Sequence, residues 1–467
     1  MYRGRIKKIH FVGIGGSGMN GIAEVLLNMG YEVSGSDIAR SATVKRLTKL
    51  GASIYIGHRQ ENVRDVQCVV YSSAINRDNP ELAAAVEAGI PIIARAEMLA
   101  ELMRLKYGIA IAGTHGKTTT TSLIAAILAG TDLDPTVVTG GKLNSLGANA
   151  RLGKGDLLVA EADESDGSFL KLTPTMAIVT SIDREHMNHY HSMEDVYEAY
   201  LGFMNKVPFY GAAILCLDQP VIQGLLPRVT RRVITYGLAA QADVRGANLR
   251  YDGMETSFDL FAMDEKLGRV TMRLPGAHNV QNALAAAAVA LELDIDYETI
   301  KKGLESFSGV ERRFHVLGSL GGITVIDDYG HHPEEVKAVL QGAKQSFNKR
   351  IVAVFQPHRY TRTADLFKDF LTAFNDVDKL VVTGVYAAGE EPIEGIEGFA
   401  LYEAIKEHGH KDVAYVKEVA DVPEYLKGIV REGDLVITLG AGDIWKAGTG
   451  LVRLLEKEEK QRHLKVL

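Results

Sequence analysis

Cysteine is nearly absent from this chain of 467 residues. Cys68 and Cys216 are the only two, far apart and without the close spacing of metal ligands. A disulfide framework is excluded, and a reducing compartment is the expected setting. Positive charge is in deficit, with 52 Lys and Arg against 59 Asp and Glu and a net charge of −7. That balance argues against a non-specific nucleic-acid binder, which relies on a basic surface. Long apolar runs are missing too. The longest apolar helical stretch, residues 283–291, is too short to cross a bilayer. Residues 1–8 run into a strand with no signal-peptide core. There is no internal repeat or low-complexity segment, and only residues 456–467 read as a charged, fraying helix end. Hydrophobic content of 46% and charged content of 24% are those of an ordinary globular chain. The expectation is a cytoplasmic enzyme with no membrane insertion and no nucleic-acid partner.

The length implies several cores. Strands such as 8–12, 31–35 and 68–71 alternate with helical stretches, a rhythm that produces parallel sheets with helical crossovers. The same alternation restarts near Tyr107 and again after Phe314. The expected fold class is therefore α/β, in three domains over residues 1–107, 108–313 and 314–467.

The most informative run is Gly113-Thr114-His115-Gly116-Lys117-Thr118-Thr119-Thr120, which follows an apolar strand and opens a helix. Strand, glycine turn, Gly-Lys-Thr and helix wrap backbone N–H groups around nucleotide phosphates. Lys117 is expected at the β/γ phosphates and Thr118 at Mg²⁺. Ile111 stands where the general pattern has its first glycine, five positions before Gly116. Gly13-Ile-Gly15-Gly16-Ser17-Gly18, with Asp37 closing the next strand, is a G-x-G-x-x-G fingerprint in its proper context. A pyrophosphate at the helix N-terminus and a ribose near Asp37 fit it, and it does not choose among NAD, FAD and nucleotide sugars.

Glu161 is the first acid after the strand 157–160, ahead of Asp163, Glu164 and Asp166, and is the favoured magnesium carboxylate. His186, His189 and His191 follow another strand. His186 reads equally as a Mg²⁺ or Mn²⁺ ligand and as a surface-loop histidine. Asn279 and Asn282 share a helix face; spacing favours an N-cap at Asn279 over contact with a base or ribose. In the last domain Asp327-Asp328-Tyr329-Gly330-His331-His332 and His358-Arg359-Tyr360-Thr361-Arg362 each follow a strand, which suits capture of an anionic group or carboxylate.

Taken in order, these motifs resemble the Mur ligases of peptidoglycan synthesis, and within them the alanine-adding branch. The resemblance covers essentially the whole chain, through H-F-V-G-I-G-G-S-G-M, G-T-H-G-K-T-T-T, E-A-D-E-S-D-G-S-F, H-N-V-Q-N, E-R-R-F, D-D-Y-G-H-H-P and H-R-Y-T-R-T. It implies a Rossmann-like UDP-binding domain, a central P-loop ATPase-like domain and a Rossmann-like C-terminal domain. Gly15, Gly16, Ser17 and Gly18 would meet the UDP pyrophosphate, with Ser72 and Ser73 lining that site beside Asp37. ATP would lie on residues 113–119, with Lys117 on its phosphates and Asn279, Arg313 and Asp328 as further contacts. Thr118, Glu161 and His186 would serve Mg²⁺ or Mn²⁺. Tyr329, His331, His358, Arg359 and Arg362 would surround the alanine.

The chain departs from the commoner family pattern at Asn188, where an Asp is often found. It has no lysine over residues 190–205, as in the branch lacking a carbamylated lysine. The implied reaction joins L-alanine to UDP-N-acetylmuramate at the expense of ATP through an acyl phosphate, with Lys117, Glu161, His186 and Arg313 as the catalytic set. A recycling ligase for ready-made peptides and an NAD-dependent oxidoreductase are the alternatives. A monomer or weak homodimer is expected.

Overall fold

The computed structural model describes residues 6–72, 74–143, 148–151 and 153–466; for residues 17, 140–143, 148–150 and 461–466 it describes the backbone alone. Ser73, expected in the UDP-sugar site, lies outside the described residues, as does the Ser17 side chain.

Three sheets are present, as the alternation predicts. The first has five parallel strands, β1 (Lys8–Val12), β2 (Glu32–Asp37), β3 (Ser53–Ile56), β4 (Cys68–Tyr71) and β5 (Ile92–Ala94), in the order β3-β2-β1-β4-β5. The order reverses beside β1, so the crevice at the carboxyl ends of β1 and β4 is the switch point where such sheets bind ligands. In the same sheet region Glu81 is fully buried beside Ser36 at the end of β2. Its carboxylate accepts from Ser36 Oγ and Asn62 Nδ2, both at 2.5 Å, and faces His58 Nδ1 at 3.1 Å. Burial alone would raise its pKa, but the His10 ring, with Nε2 at 3.7 Å, and the hydrogen bonds from Ser36 and Asn62 bring it down to about 2.

The second sheet contains β6 (Tyr107–Ala112), β7 (Thr136–Leu143), β8 (Ala148–Arg151), β9 (Leu157–Glu161), β10 (Met176–Val179), β11 (Ala212–Cys216), β12 (Val233–Gly237), β13 (Val244–Asp252), β14 (Glu255–Ala262) and β15 (Glu265–Met272). Their order is β15-β14-β13-β12-β11-β10-β6-β9-β7-β8. The central strands are unbroken apolar runs because both faces are covered: 109–112, 157–160 and 176–179 are buried throughout. Register places Ile111 opposite Glu161 and Ala112 opposite Val179. The loops after β6, β9 and β10 therefore leave the sheet side by side.

The third sheet has β16 (His315–Leu320), β17 (Ile323–Asp328), β18 (Ile351–Phe355), β19 (Lys379–Val382), β20 (Val413–Tyr415) and β21 (Leu435–Leu439), in the order β16-β17-β21-β18-β19-β20. Only β16 runs antiparallel to its neighbour. Period-2 alternation splits β18 between two cores: Ile351, Ala353 and Phe355 pack on one side, Val352 and Val354 on the other.

The chain forms two compact units, one of Met1–Asn248, Phe258–Val270 and Gln281–Ser308, the other of Leu249–Ser257, Thr271–Val280 and Gly309–Leu467. The charged tail is, as expected, a helix end: it closes one long helix, Trp445–Val466, anchored by buried Ala447 and Leu451. One local reading needs correction. Asn279 is not an N-cap: its helix, Ala277–Glu292, begins two residues earlier, and its Nδ2 donates to Pro275 O at 2.8 Å. Gly276, at φ +95°, occupies the turn into that helix because the left-handed region is open to glycine.

Candidate active site

The glycine loop after β6 is built by two positive-φ glycines. Gly113 has φ +137° and Gly116, which starts the helix Lys117–Leu128, has φ +83°. A Cβ on Gly116 would lie 2.5 Å from Asn282 Oδ1, and one on Gly113 would strike Thr180 and the Ser181 backbone. The loop is pinned to the residues after β10. Thr114 N donates to Ser181 O at 2.9 Å, His115 N to Ser181 Oγ at 3.0 Å, and Asp183 N to Thr114 Oγ1 at 2.9 Å. His115 Nε2 is 3.2 Å from Asp183 Oδ2. Thr119 is buried, and Thr120 Oγ1 bonds Asn282 Oδ1 at 3.2 Å. Asn282 is thus packed against this loop.

Lys117 Nζ donates to Gly113 O (2.5 Å), Thr114 O (3.3 Å) and Glu164 Oε1 (2.7 Å). Burial pulls its pKa down, but Glu164, with Glu185 and Glu161 beyond, outweighs this and holds the ammonium above its ordinary value. The two acids of the Glu161–Glu164 loop divide the work. Glu161 accepts from Thr118 Oγ1 at 3.2 Å, while Glu164, 4% exposed, faces both Lys117 and, at 3.6 Å, His186 Nε2. Sequence reasoning passed over Glu164 because it ranked acids by nearness to the strand end. His186 has φ +57°, an uncommon backbone state for a non-glycine residue, and also lies 3.8 Å from Glu185 Oε2. Thr118 and Glu161 form an all-oxygen pair. Among the described residues no three His, Cys, Asp or Glu side chains form a closed metal cage. Such a pair fits Mg²⁺, which is commonly held by one or two carboxylates together with phosphate oxygens and water.

In the first sheet, Gly15 N donates to Asp37 Oδ2 at 2.8 Å, and a Cβ on Gly15 would lie 2.7 Å from that oxygen. Asp37 thus closes onto the glycine loop. Ser72 is half-buried just after β4, at the same end of the sheet.

In the second unit, β17 ends in two buried acids with different partners. Asp327 pairs with Arg312 Nε (2.9 Å) and accepts from Thr438 Oγ1 (2.7 Å). Asp328 accepts from the backbone N–H of Phe314 and Gly330, both at 2.7 Å. Burial nevertheless pushes its carboxyl up to about 6, against Arg313 and those two bonds. Arg312 also ties the turn after β21 by donating to Gly440 O (2.6 Å) and Gly442 O (3.1 Å), a structural task, while Arg313 lies 3.5 Å from Glu335 Oε1. Both guanidinium carbons sit near the Tyr329 ring, at 5.1 and 5.2 Å from its centre.

Four of the five expected amino-acid residues, Tyr329, His331, His358 and Arg362, come together along an aromatic chain. Tyr329 meets His331 at 5.4 Å, His331 meets His358 at 5.9 Å, and His358 stacks on Tyr386 at 5.4 Å with an 8° interplanar angle. Arg362 Nη1 is 3.1 Å from His358 Nδ1, and since arginine only donates, that nitrogen accepts. His331 Nδ1 is 3.0 Å from Tyr329 O and 3.2 Å from Glu335 Oε2, so there it donates. Burial, and then the charges of His331, Arg362 and Arg359, lower the His358 pKa to about 4. Arg359 is exposed at φ +67°, 3.8 Å from Glu390. Tyr386, which the sequence reading missed although it follows β19, also lines a cavity of about 460 Å³ with Gln356, Tyr360, Tyr415 and Asp443.

Comparison with known proteins assigns the chain to one family. Residues 8–107 match the family model "Mur ligase family, catalytic domain", 111–290 the "Mur ligase middle domain" and 312–442 the "Mur ligase, glutamate ligase domain". The chain belongs to the Mur ligase family. It is 58% identical to the UDP-N-acetylmuramate–L-alanine ligase of Pelobacter propionicus over 97% of this chain and 99% of that one. The UDP-N-acetylmuramate–alanine ligase of Thermotoga maritima superposes with a TM-score of 0.79 at 30% identity, over 97% of this chain and 99% of that one. A murein peptide ligase from Psychrobacter arcticus shares the fold, with a TM-score of 0.67 at 22% identity over 96% and 98%.

Proposed function

We infer that the chain is an ATP-dependent ligase joining L-alanine to the lactyl carboxylate of UDP-N-acetylmuramate, giving UDP-N-acetylmuramoyl-L-alanine, ADP and phosphate. The observation that carries this reading is the 58% identity over nearly the full length of an alanine ligase. A carboxylate oxygen attacks the γ-phosphorus, the bond to the β-phosphate oxygen breaks, and ADP leaves. The alanine amine then attacks the acyl carbon, loses a proton, and expels phosphate.

The first step brings a carboxylate against a polyphosphate, so cationic groups aimed at the transferred phosphoryl supply much of the acceleration. Lys117 is proposed for that role; its half-buried position and its pairing with Glu164 support it. Thr118 and Glu161 would hold a bound Mg²⁺, whose contribution is to neutralise phosphate charge. His186, an imidazole among carboxylates, would suit Mn²⁺ as well. The nucleotide roles of Asn279, Arg313 and Asp328 rest on the resemblance.

For the second step His331 is the proposed proton acceptor. Its Nδ1 donates to Tyr329 O, so the neutral ring presents Nε2 as the basic atom. His358 accepts at Nδ1 from Arg362 and so carries its proton on Nε2. Arg359 and Arg362 are proposed to receive the alanine carboxylate. No helix among the described residues is long and apolar enough to cross a membrane. We place the reaction in the cytoplasm, with a monomer or weak homodimer as the working unit.

The test is phosphate release from ATP. It should require UDP-N-acetylmuramate and rise sharply with L-alanine. Release that answers to a tripeptide and not to alanine would move the chain to the recycling ligases.

A further inference from the structure

Gly18 ends the glycine fingerprint in the first turn of the helix Ser17–Asn28. A Cβ there would lie 2.6 Å from Arg95 Nη1 and 3.2 Å from Arg95 Cζ. The guanidinium therefore lies against the turn whose N–H groups are expected to face a pyrophosphate. Arg95 opens the helix Arg95–Arg104, whose first turn is fixed by the Ala94 N–H donating to Glu97 Oε2 at 2.9 Å. Its Nη2 donates to Asp163 Oδ2 at 2.7 Å.

Asp163 stands between the two acids of the phosphate-loop site. Its other oxygen is taken by Ser165, through N at 3.1 Å and Oγ at 2.7 Å. The same loop carries Glu161 to Thr118 and Glu164 to Lys117. A second ion pair, Lys171 Nζ to Glu97 Oε1 at 2.7 Å, ties the Arg95 helix to the chain just beyond. One side chain thus touches the anion-binding turn of the first sheet and the acidic loop of the second. Asp163 is the one hydrogen-bond partner of Arg95 among the described residues. A guanidinium has five N–H donors in a planar fork, so a second anion can be bound without giving up the first.

We propose that Arg95 is a positioning residue shared by the two nucleotide sites: it donates to the UDP-sugar pyrophosphate while paired with Asp163. Occupancy of the sugar-nucleotide site thereby sets the loop that orients Lys117 and Glu161. The proposal rests on the ligase reading above. It predicts reciprocal coupling, with UDP-N-acetylmuramate tightening nucleotide binding and the reverse by the same factor.

The experiment is calorimetric titration of the full-length chain with a non-hydrolysable ATP analogue, with and without saturating UDP-N-acetylmuramate. Wild type should show tightening of about tenfold. Arg95→Ala should bind the UDP-sugar more weakly and lose the coupling to within about twofold. Asp163→Asn should keep most of the UDP-sugar affinity and still lose coupling, a split that simple loss of packing would not produce. Should Arg95→Ala fail to fold, Arg95→Lys takes its place: it keeps the charge but lacks the fork, and should recover only part of the coupling. Absence of coupling in wild type, or wild-type coupling in either Asp163→Asn or the folded Arg95 variant, overturns the proposal. Wild type that releases no phosphate with alanine would sink the ligase reading itself, and that assay is separate from the titration.

Discussion

Lys117 is held by two loop carbonyls and one buried carboxylate. If it is the group that stabilises the transferred phosphoryl, Lys117→Ala should lower turnover by about 10²–10⁴. Near-wild-type turnover in a steady-state phosphate assay would remove Lys117 from the proposed mechanism. Asp328 gives a different kind of test. Its carboxyl is pushed up from 3.8 to about 6. Between those values the folded chain holds more protons than the unfolded one. The stability this group contributes is therefore fully present below about pH 4 and is lost as the pH rises through about 6. His278 and His358, both lowered to about 4, act in the opposite sense. They are common to wild type and Asp328→Asn, so they cancel in the difference. Urea titrations at pH 4.5 and 7.5 should show wild type losing on the order of 2 kcal/mol relative to Asp328→Asn across that interval. A difference independent of pH would show that Asp328 titrates normally.

At the scale of elements, the loop after β6 was legible because a glycine turn between an apolar strand and a helix has few other uses. What spacing alone leaves open is which acid faces which cation. Glu161 and Glu164 are three residues apart, and only the path of the chain after β9 sends one to Thr118 and the other to Lys117. The same limit explains Asn279 and Asn282. Residues three apart share a helix face, but the helix starts earlier than a cap at Asn279 requires, and the second asparagine reaches the phosphate loop. Tyr386 was missed for another reason: no charged motif marks it, only its place after a buried strand. The contact between Asn282 and Gly116 can be tested directly. Gly116→Ala forces a non-glycine residue to φ +83° and sets a Cβ 2.5 Å from Asn282 Oδ1. The cost should be about 1–3 kcal/mol from backbone strain, with the clash in addition. Asn282→Ala removes the clash but not the strain, so the double variant should be more stable than the sum of the single effects, read as a non-additive melting shift. Strict additivity would mean that the two residues do not press on each other.

At the scale of the molecule, the two compact units have separate buried cores, so a single two-state unfolding transition is not the expectation. The proposed UDP-sugar residues, Gly15, Gly16, Gly18 and Asp37, all belong to the first unit. The proposed alanine residues, Tyr329, His331, His358, Arg359 and Arg362, all belong to the second. A ligand that binds only the folded form of one unit raises that unit's stability by about 2.7 kcal/mol at a hundred times its dissociation constant. Differential scanning calorimetry should therefore resolve two transitions, with UDP-N-acetylmuramate shifting one and L-alanine the other. The variants assign the peaks independently of the ligands. Gly116→Ala should lower the transition that answers to the UDP-sugar, and Asp328→Asn should move the one that answers to alanine. Both substrates shifting the peak that Gly116→Ala lowers, while Asp328→Asn moves the other, would place the two proposed sites on a single unit and require the amino-acid residues to be reassigned.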